Sequence, residues 1–509
     1  MRAPHRKPAF TTYLFFGALF ACVVFVAHAA VLKLPYYWDE LGQFVPAALD
    51  LYHDGSWVPH STVPNIHPPG VMVYLALVWR VLGYSILITR FAMLALASIA
   101  LLTVFLLAIQ LCRTYPGAPA FPAVIFLAAS PLFYSQSMLA MLDMPAMLFT
   151  MLALLLFLQE KYTASAAACV ALVLTKETGL LVPLILGGWL LREKRPREAA
   201  YFAAPFLALG GWLLCLRHVS GSLFGNREFE QYNLFYPLHP VRLSLALIRR
   251  FYYVFIEDFH WIGTLAIIIA WRRTPIFRDR SWKIALTLLA GHLLLVSVTG
   301  GATLERYVLP VLPLFYIAVA AACSTQAPII RRTIVFLMTI GLIASLWWNP
   351  PWPFPLENNL AFTDFIRVQK DAAEYVAWNH SSRTIYSAWP FTDELRRPEM
   401  GYVPARMKAV GIPDFHLSSI ASLKDKNVDV LVVYSQTWEP HTGVMRIEWI
   451  RTLLARYYGY EPQVTTGDIE RELGLHSVAL FERRGQWVEV YARSAGGPAV
   501  VRAMIRSFS

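Results

Sequence analysis

Charge is what this sequence has least of: Asp, Glu, Lys and Arg together make 15% of its 509 residues, while 57% are hydrophobic. A soluble domain carries about a quarter charged residues, so an ordinary water-soluble protein of this size is excluded. Cysteine is scarce as well. The five present, Cys22, Cys112, Cys169, Cys215 and Cys323, all fall in apolar segments, with no CxxC spacing. Neither a disulfide framework nor a thiolate metal site is implied. No Gly-rich phosphate loop interrupts the apolar runs, and no internal repeat or low-complexity tract is present, which removes the usual signature of nucleotide handling. The net charge of +11 could suggest nucleic acid, but the Lys and Arg cluster in short loops between apolar runs. That is positive-inside patterning, and no nucleic-acid partner is expected.

What is present is a series of apolar runs about as long as the ~20 residues a spanning helix needs. About eleven are read, near 11–32, 86–111, 119–136, 144–160, 162–175, 178–191, 199–217, 251–271, 282–299, 307–325 and 332–348. Arg2, Arg6 and Lys7 precede the first, which reads as a retained signal anchor with the N-terminus cytoplasmic. The basic loops at 192–197, 272–283 and 331–332 then all fall inside. The outer pieces are the first loop, 33–85, the turns before Asp143 and at Lys176–Glu177, the 218–250 loop and Glu305–Arg306. Residues 71–82 are too short to span and predict an amphipathic helix lying at the interface.

After the aromatic and Pro-rich stretch 347–355 the composition turns polar. The last part predicts a small α/β domain: a helix over 365–378, strands over 384–388 and 430–434, a helix over 445–457, and a hairpin over 478–492 turning at 483–485. The expected fold class is thus mainly α, a polytopic membrane protein with a small C-terminal α/β domain. Its expected division is a transmembrane domain, 1–349, containing the large loop 33–85, and an extracytoplasmic domain, 350–509.

The outer pieces hold the unusual residues. Asp39 and Glu40 follow the aromatic run 36–38 at the membrane surface. Paired carboxylates there can orient a nucleophile, take its proton or hold a divalent cation; they can also be plain solvated acids. Downstream lie Gly55, Trp57, Pro59 and His60, then His67 before the Pro68–Pro69 turn. Asp143 stands at the mouth of a span, where a carboxylate bordering lipid is costly unless paired, capping or functional. Lys176, Arg306 and Tyr307 mark later span ends, and Glu257, Asp258 and His260 follow Arg249 and Arg250 near another.

Over roughly residues 10–320 these motifs, in this order, resemble the membrane glycosyltransferases that use polyprenyl-phosphate sugars. That group includes protein O-mannosyltransferases, lipid A aminoarabinose transferases and galacturonosyl transferases. The resemblance rests on Asp39–Glu40, the Gly-x-Trp stretch with its proline at 55–59, and the Pro68–Pro69 turn. It continues through Leu142-Asp143-Met144-Pro145, Leu174-Thr175-Lys176 and Arg306-Tyr307-x-x-Pro310. It implies a GT-C type fold with about eleven transmembrane helices. It also implies catalytic roles for Asp39, Glu40 and Asp143, and donor-phosphate binding by His67, Lys176, Arg306 and Tyr307.

One departure stands out: the aminoarabinose transferases carry Glu-Lys before the first proline of that turn, where this chain has Ile66-His67. A carboxylate that could bind metal is missing, and a divalent cation, if used, would fall to Asp39, His67 and His260. The resemblance further implies an undecaprenyl-phosphate sugar as donor. The acceptor would be a lipid, glycan or protein of the envelope, at the outer face of the inner membrane among its lipids. A transporter or flippase of lipid-linked sugars, or a non-catalytic relative, is the alternative reading.

Overall fold

The computed structural model describes residues 10–113, 120–348, 357–436 and 446–493, with the backbone of 501–503. Arg2, Arg6 and Lys7, most of the Pro-rich stretch, and Met445 lie outside the described residues. Mainly helical, the chain is a multi-pass membrane protein. Five of its described helices are long and apolar enough to cross a bilayer singly: Thr11–His28, Ile86–Leu111, Pro196–Ser220, Arg280–Val298 and Pro328–Ser345. Shorter apolar helices at Asp143–Leu158, Tyr162–Thr175 and Leu312–Ser324 pack among them. The chain separates into two compact units, one of 1–32 and 44–346, the other of 33–43 and 347–509.

In the first unit, proline and buried charge decide where helices break. The run over 119–136 is two helices, Phe121–Ala129 and Pro131–Ser137, parted at Ser130. The residue before a proline is pushed out of the helical region, and Ser130 is accordingly extended, with ψ 127°. The run over 251–271 is also broken. Pro240–Phe255 and Glu257–Arg273 meet at 43°, because Asp258 and Phe259 take left-handed φ values of 50° and 65° beside the buried Glu257. Much of the loop read over 218–250 is therefore helix.

The Gly70–Leu82 helix is the amphipathic element read over 71–82. Trp79 is buried and donates to Thr89 Oγ1 at 3.0 Å, tying it to the Ile86–Leu111 helix, while Leu77, Val81 and Leu82 stay exposed. Its first residue touches another chain segment. A Cβ on Gly70 would lie 2.4 Å from the Leu174 carbonyl oxygen, closer than any real carbon sits. Gly70→Ala is expected to cost about 1–3 kcal/mol by overpacking, read as a lower thermal midpoint of the purified protein, and to push Leu174–Lys176 away from the Pro68–Pro69 turn.

The second unit holds a six-stranded mixed sheet whose strands, numbered β1 to β6 along the chain and bounded in the next sentence, lie in the order β2-β1-β3-β5-β4-β6. The strands are β1 Ile385–Ala388, β2 Ala409–Ile412, β3 Val430–Tyr434, β4 His476–Arg483, β5 Gln486–Ala492 and β6 Val501–Ala503. β1 runs parallel to both β2 and β3. β4 and β5 form the hairpin, closed by Arg484 and Gly485 with φ 46° and 82°. Positive φ at both positions is what a two-residue hairpin turn needs to match strand twist. The Ala361–Asn379 helix packs its apolar face on β4 and β5. Asp364, on that helix and nearly buried, meets Arg483 Nε at 3.0 Å.

Candidate functional site

Asp143 opens the Asp143–Leu158 helix, where the positive end of the helix dipole favours a carboxylate. The Tyr162–Thr175 helix ends one residue before Lys176, whose extended backbone turns its side chain out of the helical path. The two meet in the interior: Lys176 Nζ lies 2.5 Å from Asp143 Oδ1. A short turn, Glu305–Val308, brings Arg306 Nε to 3.4 Å from Asp143 Oδ2 and its Nη1 to 3.3 Å from Met141 Sδ. Asp143, Lys176 and Arg306 are 2%, 8% and 4% exposed. Two cations thus converge on one carboxylate away from bulk water, where such charge is costly to maintain.

The ring of Tyr307 gathers the same cations. Lys176 Nζ stands 4.5 Å from its centre, and the guanidinium carbons of Arg250 and Arg306 at 5.2 and 5.7 Å. A cation over an aromatic face within about 6 Å is attracted to the ring quadrupole. Arg250, fully buried, donates to the Leu304 carbonyl, and His292 Nε2 donates to the Tyr307 carbonyl at 2.8 Å. Tyr307 is thereby held at both its ring and its backbone.

His67 lies on a loop shaped by Asn65, whose Oδ1 accepts the His67 amide at 2.9 Å, and by Trp212, whose indole donates to the Ile66 carbonyl. Its Nδ1 donates to Glu177 Oε2 at 2.8 Å. Glu177 directly follows Lys176, so the loop bearing His67 and the segment bearing Lys176 are joined by this hydrogen bond. Where the aminoarabinose pattern has Glu-Lys in one stretch, this chain places a carboxylate beside His67 from a different part of the sequence.

His260 is otherwise engaged: Nδ1 donates to the Tyr253 carbonyl at 2.9 Å and Nε2 accepts from the Tyr316 hydroxyl at 2.8 Å. Both ring nitrogens are used by the protein. Among the described residues no group of three or more His, Cys, Asp or Glu is placed to hold a metal ion. Asp39 and Glu40 belong to the second unit. Glu40 is fully buried and accepts the Tyr37 amide at 2.9 Å, while Asp39 remains half-buried.

A separate polar knot stiffens the first outer loop. Asp50 accepts the amides of His60 and Ser61, each at 2.9 Å, and His60 Nε2 lies 2.6 Å from Asp54 Oδ2. Hydrogen bonding to Asp54, then the charge of Asp50, raises the His60 imidazole above its ordinary value; hydrogen bonds from Ser56 and His60 lower Asp54 to about 2. A raised histidine adds stability that is full below its unfolded value and lost as pH rises through the folded one. With Asp54 ionised above about 2, the knot should hold in mild acid and loosen in alkali. Hydrogen exchange over 54–61 is expected to be slower at pH 5.5 than at pH 8.5 beyond the intrinsic rate change, and His60→Gln to abolish the difference.

No known family profile matches the sequence, and no curated protein matches it. Solved structures do match. The chain is similar to ArnT from Cupriavidus metallidurans bound to undecaprenyl phosphate, at 15% identity and a TM-score of 0.53, over 97% of this chain and 100% of that one. The apo state of the same protein gives 0.52 at 15% identity and the same coverage. The archaeal oligosaccharyltransferase AglB from Archaeoglobus fulgidus, in complex with an inhibitory peptide and a dolichol-phosphate, gives 0.50 at 11% identity, over 96% of this chain and 75% of that one. At these identities the likeness is one of fold: the chain has the GT-C type fold that these structures share.

Proposed function

We propose that this chain is a glycosyltransferase that moves a sugar from a polyprenyl-phosphate donor, undecaprenyl phosphate in the bacterial case, to an envelope acceptor. The reaction takes place at the outer face of the inner membrane, with the second unit extracytoplasmic. The observation that carries the reading is the buried convergence of Lys176 and Arg306 on Asp143 beside Tyr307. Cations held rigidly in a water-poor site stabilise charge that develops on a departing phosphate, without reorganising when it forms. The GT-C fold, and neighbours captured with undecaprenyl phosphate and a dolichol-phosphate, support the same donor class.

In this mechanism an acceptor hydroxyl attacks the anomeric carbon from the face opposite the phosphate. The new C–O bond forms as the bond to the phosphate oxygen breaks, inverting the centre. Asp39 accepts the hydroxyl proton, and Glu40 shapes its surroundings. The polyprenyl phosphate leaves with the bonding electrons against Lys176 and Arg306. His67, held by Glu177, contacts the donor phosphate, and Asp143 keeps both cations in register.

The test is transfer from radiolabelled polyprenyl-phosphate sugars to native envelope acceptors by the purified full chain and its Asp39→Asn variant, with and without chelator. Transfer that depends on Asp39 is the expected result, and the chelator decides whether a divalent cation takes part. Failure of a well-folded protein to transfer from any donor would sink the reading in favour of a transporter or a non-catalytic relative.

A further inference from the structure

In the second unit, β1 stands between β2 and β3, with all three strands parallel. From its carboxyl end β1 leads to β2 on one side, whereas β3 leads on toward β4 and β5 on the other, so the two exits diverge. In open α/β sheets that is the place where ligands are usually held. Here the two exits are bridged by the chain itself. β1 exits through Trp389 and β3 through Tyr434, whose hydroxyl donates to the Trp389 carbonyl and bridges the two exits. Tyr434 is fixed in turn between Phe365 and Phe415, at ring separations of 5.9 and 4.9 Å.

Against this platform lies the segment 36–42, some 350 residues earlier in the chain. The Trp38 indole meets the Trp389 indole edge-on at 4.9 Å, and a Cβ on Gly42 would lie 2.7 Å from Trp389 Cζ2. The Tyr36 amide donates to the Met400 carbonyl at 3.1 Å, while the Tyr36 carbonyl accepts from the Tyr402 hydroxyl at 3.0 Å. Tyr37 packs on Phe362 and Phe365. Trp38 takes a left-handed φ of 51°, unusual for a bulky residue and sustained only where the surroundings over-determine it. Glu40 closes the turn onto the Tyr37 amide, and the Gly42 amide closes onto the Trp38 carbonyl at 2.9 Å.

From this geometry we infer that the second unit is the mount of the Asp39 loop, and that Trp389 is a positioning residue for Asp39. The inference rests on the proposed role of Asp39. Asp39 sits between two residues that are each pinned, Trp38 through the Trp389 indole and Glu40 through the Tyr37 amide. Its place along the chain is therefore set from the exit of β1. The α/β unit contributes to the chemical step by holding the loop, whatever else it recognises.

The experiment measures kcat and KM for the polyprenyl-phosphate sugar with the full-length protein. Trp389→Ala is expected to lower kcat by about 10- to 100-fold while leaving donor KM within about two-fold, as small misplacements of a reacting group do. Trp389→Phe should restore much of the rate. In an Asp39→Asn background, Trp389→Ala should cost nothing further, since groups acting as a unit are not additive. Should Trp389→Ala fail to fold, Tyr402→Phe, which deletes only the hydroxyl bond to Tyr36, is expected to give the same split with a smaller loss. If Asp39→Asn abolishes transfer while Trp389→Ala and Tyr402→Phe keep wild-type kcat, or if the losses multiply, the mount is overturned. If Asp39→Asn itself leaves kcat unchanged, the catalytic reading of Asp39 has failed instead.

Discussion

Asp39→Asn is expected to lower sugar transfer to a hydroxyl acceptor by about 10²- to 10⁴-fold, the usual contribution of a positioned general base. The substitution keeps the size of the side chain and one carbonyl-type acceptor, so the loop anchored by Tyr36, Tyr37 and Glu40 should fold as before. What is lost is the ability to take a proton. Donor binding should therefore survive, with KM for the polyprenyl-phosphate sugar near the wild-type value and the loss confined to kcat. A matching rise in KM would mean that the residue binds substrate rather than moving its proton. Activity within a few-fold of wild type would remove Asp39 from the chemistry altogether.

Asp143→Ala should be the most damaging substitution for the fold. It leaves Lys176 and Arg306 buried without the carboxylate that both face. Breaking a buried pair from one side typically costs about 3–5 kcal/mol, because the remaining charge stays desolvated. Thermal unfolding of the detergent-purified protein should show the drop. Asp143→Leu combined with Lys176→Met removes both members of the closest pair and should recover much of the midpoint. On the proposed mechanism neither variant should transfer sugar, since the first would lose the register of both cations and the second the cation assigned to the donor phosphate. If the single variant were as stable as wild type, the Asp143–Lys176 contact would contribute little to the fold.

The sequence was most readable where a physical cost made a residue conspicuous. Asp143, Lys176 and Arg306 stand at span ends, where charge near lipid demands a reason, and the structure brings all three together around Tyr307. His292 was not visible. It lies within an apolar helix and gains its role from a carbonyl contributed by a later turn. Glu177 was in plain view, but its pairing with His67 joins residues 110 positions apart, a distance no local pattern encodes. His260 follows two acids and so has the look of a ligand in the sequence, but packing gives both its nitrogens to Tyr253 and Tyr316.

Much the same division holds in the second unit. The long amphipathic helix, the apolar run of β3 and the hairpin were each expected near where they are found. β2 was not, because four residues including Gly411 carry too little alternation to be read as a strand. The break at Asp258–Phe259 was hidden too, since left-handed backbone at non-glycine residues is imposed by tertiary surroundings.

The union of residues 33–43 with 347–509 also sets a schedule for synthesis. The segment carrying Asp39 leaves the ribosome early, but the sheet that receives it is not encoded until about 300 residues later, which at 5–20 residues per second is a wait of about 15–60 s. Through that interval the helical unit can insert and begin to pack while the acidic loop has no partner surface to settle on. A chain stopped before residue 362 would lack every residue on which the Asp39 loop rests, from Phe362 to Tyr402. Folding of the second unit is thus the step that gives the Asp39 loop its surface.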